Sequence, residues 1–210
     1  MNHRSLRFAL AAALAAVTAG AALAPVAAAQ DLHPSRRPSP MGMARITLGD
    51  AYLRVVYSRP YERDRDPIFG TKEEEALVPY GEVWRTGANE ATEITVTRDV
   101  LVGAEKQRLA AGTYSLFTVP GAESWKVMVV DKLGLSGTGY FADGKFTPVD
   151  VAADAVVTVT ATPTAIPEAD KVDQLTISFD KTGDQSADMT LRWILTEVKV
   201  PFEVAPAEGG

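Results

Sequence analysis

From Ala44 onward, apolar and polar residues alternate at period two in short runs closed by Gly, Pro, Asp or Asn, and no other feature restricts the fold as much. Leu53, Val55 and Tyr57 share one face against Arg54 and Ser58, and Ile94 and Val96 oppose Glu93, Thr95 and Thr97. Further along, Trp125, Val127 and Val129 oppose Lys126 and Met128, and Val157 and Val159 oppose Thr158 and Thr160. Leu175, Ile177 and Phe179 then oppose Thr176 and Ser178, while Met189, Leu191, Trp193 and Leu195 oppose Thr190, Arg192 and Thr196. Thr, Val, Ile and aromatic residues, which suit a pleated and half-buried surface, fill these runs. Roughly eight to ten strands follow, at the spacing of sandwiches and barrels. Helical signals reduce to Thr71-Lys72-Glu73-Glu74, a capping box whose turn Pro79 stops. The expected fold is all-β, a single antiparallel β-sandwich with at most one short helical turn.

The ends of the chain read differently. Arg4 and Arg7 precede an apolar run from Phe8 to Ala24, Pro25 closes it, and Ala27 and Ala29 form an A-x-A cleavage site before Gln30. These are the three parts of a secretory signal peptide, so residues 1–29 are expected to be removed on export to a periplasm or the medium. The mature chain then carries no apolar stretch long enough to span a membrane. Residues 30–43, with Pro34, Pro38 and Pro40 among Ser and Arg, read as an extended linker, and His33 as a solvated tail residue. The β-sandwich is placed at 44–204 and a short tail at 205–210. Lys132 to Asp150 holds four glycines without clear alternation and reads as the longest mobile surface segment.

Composition narrows the chemistry. The absence of cysteine excludes disulfides, thiolate nucleophiles and Cys-ligated metals, and the two histidines, His3 and His33, both fall before the β pattern begins. A Ser-His-Asp triad or a His-ligated zinc therefore has no residues to draw on, and no cofactor or metal is expected. A net charge of −6 argues against a nucleic-acid partner, which requires clustered Lys and Arg. Asp180 to Asp188 offers three carboxylates, but its Gly is misplaced for a calcium loop and the segment reads as a hairpin turn. Ala111 to Phe117 lacks the Lys-Ser/Thr of a phosphate loop and reads as a Gly turn entering a strand, with Tyr114 and Phe117 as packing residues.

Unusual residues concentrate between Arg59 and Thr92. Tyr80, Trp84, Arg85, Asn89 and Glu90 fall close together, with Gly81 and Gly87 between them. In a plain strand Arg85 and Glu90 would face opposite ways, so a turn or bulge at Gly87 is needed to bring them together. Two readings fit these residue types. In a structural one, Arg85 pairs with Glu90 or Asp66, Asn89 satisfies a turn and Trp84 fills core. In a binding one, Arg59 and Arg85 present guanidinium forks to an anion or sugar hydroxyl beside an apolar platform of Tyr80 and Trp84.

The stretches Tyr57-Ser58-Arg59-Pro60, Ile68-Phe69-Gly70, Leu77-Val78-Pro79-Tyr80-Gly81, Val83 to Thr92 (VWRTGANEAT) and Ala111 to Pro120 (AGTYSLFTVP) resemble the signature of the bacterial family called domain of unknown function 2911. The resemblance is strongest over Ala44 to Val130, with a weaker echo from Val156 to Pro201 that includes Trp193. It implies an exported β-rich domain and supplies no catalytic residues. Against that pattern Lys72 to Ala76 is an addition, and the Trp-Gly pair that follows the Trp125 strand is absent.

The expected role is a non-catalytic binding or interaction module. Its candidate residues are Arg59, Tyr80, Trp84, Arg85, Asn89 and Glu90, and its partner is a small polar ligand, a glycan or an envelope protein. The first alternative is a hydrolase using Glu90 with Asp66 or Glu62 as paired carboxylates. The second is a structural envelope protein without a pocket, offering a sheet edge to a partner strand.

Overall fold

The computed structural model describes residue 33 and residues 36–207. The signal peptide read at 1–29 and the last three residues of the tail lie outside them. In chain order the strands are β1 (Met41–Leu48), β2 (Ala51–Ser58), β3 (Phe69–Gly70), β4 (Val78–Pro79), β5 (Thr92–Val96), β6 (Val100–Val102), β7 (Gln107–Leu109) and β8 (Gly112–Val119). They continue as β9 (Trp125–Val130), β10 (Gly139–Ala142), β11 (Lys145–Pro148), β12 (Ala155–Ala161), β13 (Pro163–Ala165), β14 (Val172–Lys181), β15 (Ser186–Ile194) and β16 (Thr196–Val204).

The alternation of the sequence is the architecture. Two antiparallel six-strand sheets, one ordered β1-β2-β5-β8-β9-β12 and the other β14-β15-β16-β6-β7 with β13 also on β16, pack as a sandwich. Leu53, Val55, Ile94, Leu116, Val127 and Val159 point inward from the first sheet, and Leu175, Met189, Leu191, Val200 and Phe202 from the second. Each inward residue is followed by one that faces out, which is why every long run alternates.

A second, smaller core lies on the outer face of the first sheet. Phe117, Met128 and Val130 point away from the main core and are covered by Ala91, Leu135 and Val151. The segment from Lys132 to Asp150, read as mobile, thus carries the fully buried Leu135 and the β10–β11 hairpin. Its strands are only four residues long, too short for periodicity to register. The same holds for the two-residue parallel pair of β3 and β4, and such short pieces raise the number of described strands to sixteen.

Thr71 and Glu74 form the expected reciprocal capping pair, the Thr71 N–H donating to Glu74 Oε2 at 2.7 Å and the Glu74 N–H to Thr71 Oγ1 at 3.3 Å. The chain turns back at Glu75 (φ +57°) without a helix forming; a 3₁₀ turn is found instead at Glu168–Asp170. No helix among the described residues is long and apolar enough to cross a membrane. Asp180 and Asp188 face each other across the β14–β15 hairpin, whose turn closes through the Thr182 and Gly183 N–H groups donating to Ser186 O. At the N-terminal side, β1 begins at Met41, inside the stretch read as linker, and at the C-terminal side Ala205 is buried, its N–H donating to Asp99 O at 2.9 Å.

Candidate functional site

Trp84 leaves the β4 region and joins β8 by a two-bond bridge, its N–H donating to Thr118 O at 2.7 Å and its carbonyl accepting from the Thr118 N–H at 2.9 Å. Its indole stacks on Trp193 (centroids 5.9 Å apart, 17° between planes) and meets Phe69 and Trp125 edge-on. All three tryptophans of the chain therefore meet in one cluster. The indole Nε1–H donates to Gly87 O at 3.0 Å, which ties the ring to the turn that follows it.

That turn is built by residues whose types do not advertise it. The left-handed positions are Thr86 (φ +55°) and Asn89 (φ +57°), not Gly87. Asn tolerates this region, but a β-branched residue there costs about 1–2 kcal/mol. Thr86 is fully buried and is held by its Oγ1, 3.2 Å from Thr118 Oγ1, and by its carbonyl, which accepts from Thr92 Oγ1 at 2.8 Å. Gly87 serves a different need. A Cβ on it would lie 2.9 Å from Ser58 O and 3.1 Å from Thr92 Oγ1, so the turn sits flush against the end of β2 only because that atom is missing. Gly87→Ala is expected to lower stability by about 1 kcal/mol, an overpacking cost partly offset by the stiffer unfolded chain. A shift in the urea midpoint measures it.

The turn sets Arg85 in a cleft of about 200 Å³ walled by Pro60, Leu77, Val78, Trp84 and Trp193, with Arg65 also lining it. Among the described residues the Arg85 side chain makes no hydrogen bond and no ion pair, and its Nε is buried without an acceptor. Desolvation lowers its proton affinity, and the charge of Glu90 opposes that only in part. Strain at Thr86 and an unmatched guanidinium thus fall on adjacent residues, as at sites where binding geometry is favoured over stability.

Glu90 is engaged elsewhere. Arg37 Nη1 lies 2.6 Å from its Oε1 and 2.8 Å from its Oε2, so the carboxylate pairs with the segment read as a tether rather than with Arg85. Asn89 supports the same segment, its Nδ2 donating to Ser39 O and Ser58 Oγ, both at 3.1 Å. Arg63 Nη2 also donates to Pro38 O, at 2.7 Å. Asn89 and Glu90 therefore form a clasp that seats residues 37–39 beside the cleft, of which Ser39 is one wall. Burial pushes the Glu90 carboxyl up, but the Arg37 bonds, with the charges of Arg37 and Arg85, outweigh it and hold the group below the ordinary glutamate value. A carboxyl lowered in the folded state stabilises above the unfolded-state value and loses that contribution as pH falls through the folded value. The stability gap between wild type and Glu90→Gln is therefore expected at neutral pH and should close on acidification, as followed by urea midpoints across pH.

The remaining candidates separate from this cleft. Arg59 gives its Nε–H to Leu175 O (3.0 Å) and an Nη2–H to Thr176 Oγ1 (2.9 Å), tying the end of β2 to β14. Its fork serves the joint between the sheets. Tyr80 lines a second cleft of about 160 Å³ with Phe69, Trp125, Pro163 and Leu195, on the other side of the aromatic cluster. Of the six residues, Trp84 and Arg85 share a cleft lined by described residues, whereas Tyr80 lies in the second one. Sequence reasoning missed Arg37, Ser39 and Arg65; the adjacent Arg36-Arg37 pair in a Pro-rich segment was the available signal for the first. Glu62, offered as a second carboxylate, pairs with Lys171 at 3.0 Å.

A family model described as a protein of unknown function (DUF2911) matches residues 39–202. Neither curated proteins nor solved structures gave a match.

Proposed function

We propose that this chain, which belongs to the DUF2911 family, is an exported, non-catalytic binding module whose ligand seats in the cleft between Arg85 and the Trp84–Trp193 pair. The observation that carries the reading is half-buried Arg85, whose Nε is shut off from water without an acceptor and whose desolvation only the charge of Glu90, itself bonded to Arg37, offsets in part. A cationic group in that state persists when something outside the fold completes it, and apolar walls with one fixed polar group are the usual make-up of a small-molecule site. The signal-peptide pattern of residues 1–29 supports export.

A carboxylate hydrolase fits less well. Its general acid needs a raised proton affinity, whereas Glu90 is lowered and tied to Arg37, and Glu62 is tied to Lys171. The reading is tested by incubating the protein with a panel of small carboxylates, phosphates and sugars. At least one compound is expected to raise the melting temperature, to lose that effect in Arg85→Met, and to be recovered unchanged. Product formation that disappears in a folded Glu90→Gln variant would support the hydrolase instead. Absence of any thermal response across the panel would favour a structural envelope protein.

A further inference from the structure

Resting on the reading that the Arg85 cleft is the binding site, we infer that the group it receives is a carboxylate carrying a short apolar flank. Three features of the cleft point to this chemistry. First, Arg85 brings a guanidinium that has no hydrogen bond among the described residues. Arg65, the other cation of the lining, is exposed and donates its Nε–H to Glu62 O at 2.8 Å and an Nη2–H to Tyr61 O, which ties it to its own loop and leaves Nη1 as its unbonded nitrogen among the described residues. A single planar fork satisfies both oxygens of a carboxylate at once. A phosphate's further oxygens would need Arg65 Nη1 as well, since Leu77 and Val78 offer no donor and the indole N–H groups of Trp84 and Trp193 are already given to Gly87 O and Asp173 O.

Second, the surroundings already hold one carboxylate. Glu90 is close enough to Arg85 for their charges to interact, but it is bonded to Arg37, so the charge of Arg85 is left for a ligand carboxylate to meet in place of lost hydration. Third, the walls opposite the cation are apolar, with stacked Trp84 and Trp193 at the back and Leu77, 41% exposed, at the rim. At about 200 Å³ the cleft admits a branched aliphatic acid or the last residue of a peptide, not a drug-sized molecule. The chemistry shared by those two sources is a terminal carboxylate beside a small aliphatic group.

Because all three tryptophans lie in one cluster and two of them line the cleft, intrinsic fluorescence reports on its occupancy. The experiment titrates the protein with isovalerate and, as a shape-matched neutral, isovaleramide. It then compares Ala-Ala-Leu with its C-terminal amide, and uses inorganic phosphate as the competing anion. Isovalerate or Ala-Ala-Leu is expected to give a saturable change with Kd of about 1 mM, with the matching amide at least about tenfold weaker, the factor that loss of one charged partner brings. The preference for acid over amide should vanish in Arg85→Met, whose unfolding midpoint should not fall. Tighter binding of isovalerate assigns the site to free acids, and tighter binding of the tripeptide assigns it to chain termini. Equal binding of acid and amide overturns the carboxylate inference while leaving the cleft as a binding site, and so does phosphate binding more tightly than either acid. No response to either acid also overturns the inference. If Arg85→Met is destabilised as well, the binding reading of the cleft falls with it.

Discussion

Replacing Trp84 by alanine is expected to cost the domain about 4 kcal/mol, the range found when a buried aromatic side chain is truncated and its neighbours relax only in part. The ring is buried against Trp193, Trp125 and Phe69, so its removal opens a void among three other rings and forfeits their edge and stacking contacts. It also strands Gly87 O, which accepts the indole N–H. The backbone bridge from residue 84 to Thr118 survives the substitution, because alanine keeps the N–H and C=O that form it. The loss therefore isolates the side chain. Trp84→Phe, which keeps most of the apolar volume and gives up the Nε1–H bond, should lose roughly half as much. Urea unfolding of the two variants beside wild type measures both, and a loss below about 1 kcal/mol for the alanine variant would mean that the cluster closes over the gap.

How much of this was legible in the sequence follows from what produces a periodic signal. Long strands with one face on the core, such as β2, β15 and β16, alternate because burial alternates, and they were readable residue by residue. The pair β3 and β4 was not, since two residues define no period; yet it carries Phe69 into the aromatic cluster. The turn after Trp84 was misplaced for a related reason. Gly87 looks like the residue that bends the chain, whereas Thr86, a strand-former by type, takes the left-handed conformation and Gly87 allows close approach to Ser58. The Arg37–Glu90 pair joins residues 53 apart, and a Pro-rich stretch with two arginines has the same composition whether it hangs free or is clasped. Arg59 illustrates the opposite error: a conspicuous arginine beside a conspicuous cluster spends its fork on β14. Trp84 and Arg85 were identifiable as candidates, but that one lacks a partner while the other is core became visible only with the packing.

The lone cation leads to the second large effect, opposite in sign to the first. A guanidinium paired in the fold repays part of its desolvation through its partner, and removing it strands that partner at a cost of about 3–5 kcal/mol. Arg85 has no such partner: Glu90 bonds to Arg37, and the Arg85 Nε is buried without an acceptor. Arg85→Met keeps an apolar stem of similar reach against Trp84 and Trp193 while removing the desolvated charge. In the absence of ligand it should stabilise the protein by about 1 kcal/mol, less than the gain found at fully buried charges because the Arg85 Nη groups still reach water. The central claim is that Arg85 is kept for something other than folding, and urea unfolding of wild type and Arg85→Met, side by side without added ligand, tests it most directly. A midpoint at or above the wild-type value with an unchanged slope is the predicted result; a loss of about 3 kcal/mol or more would mean that Arg85 holds the fold together, and would contradict the binding site proposed around it.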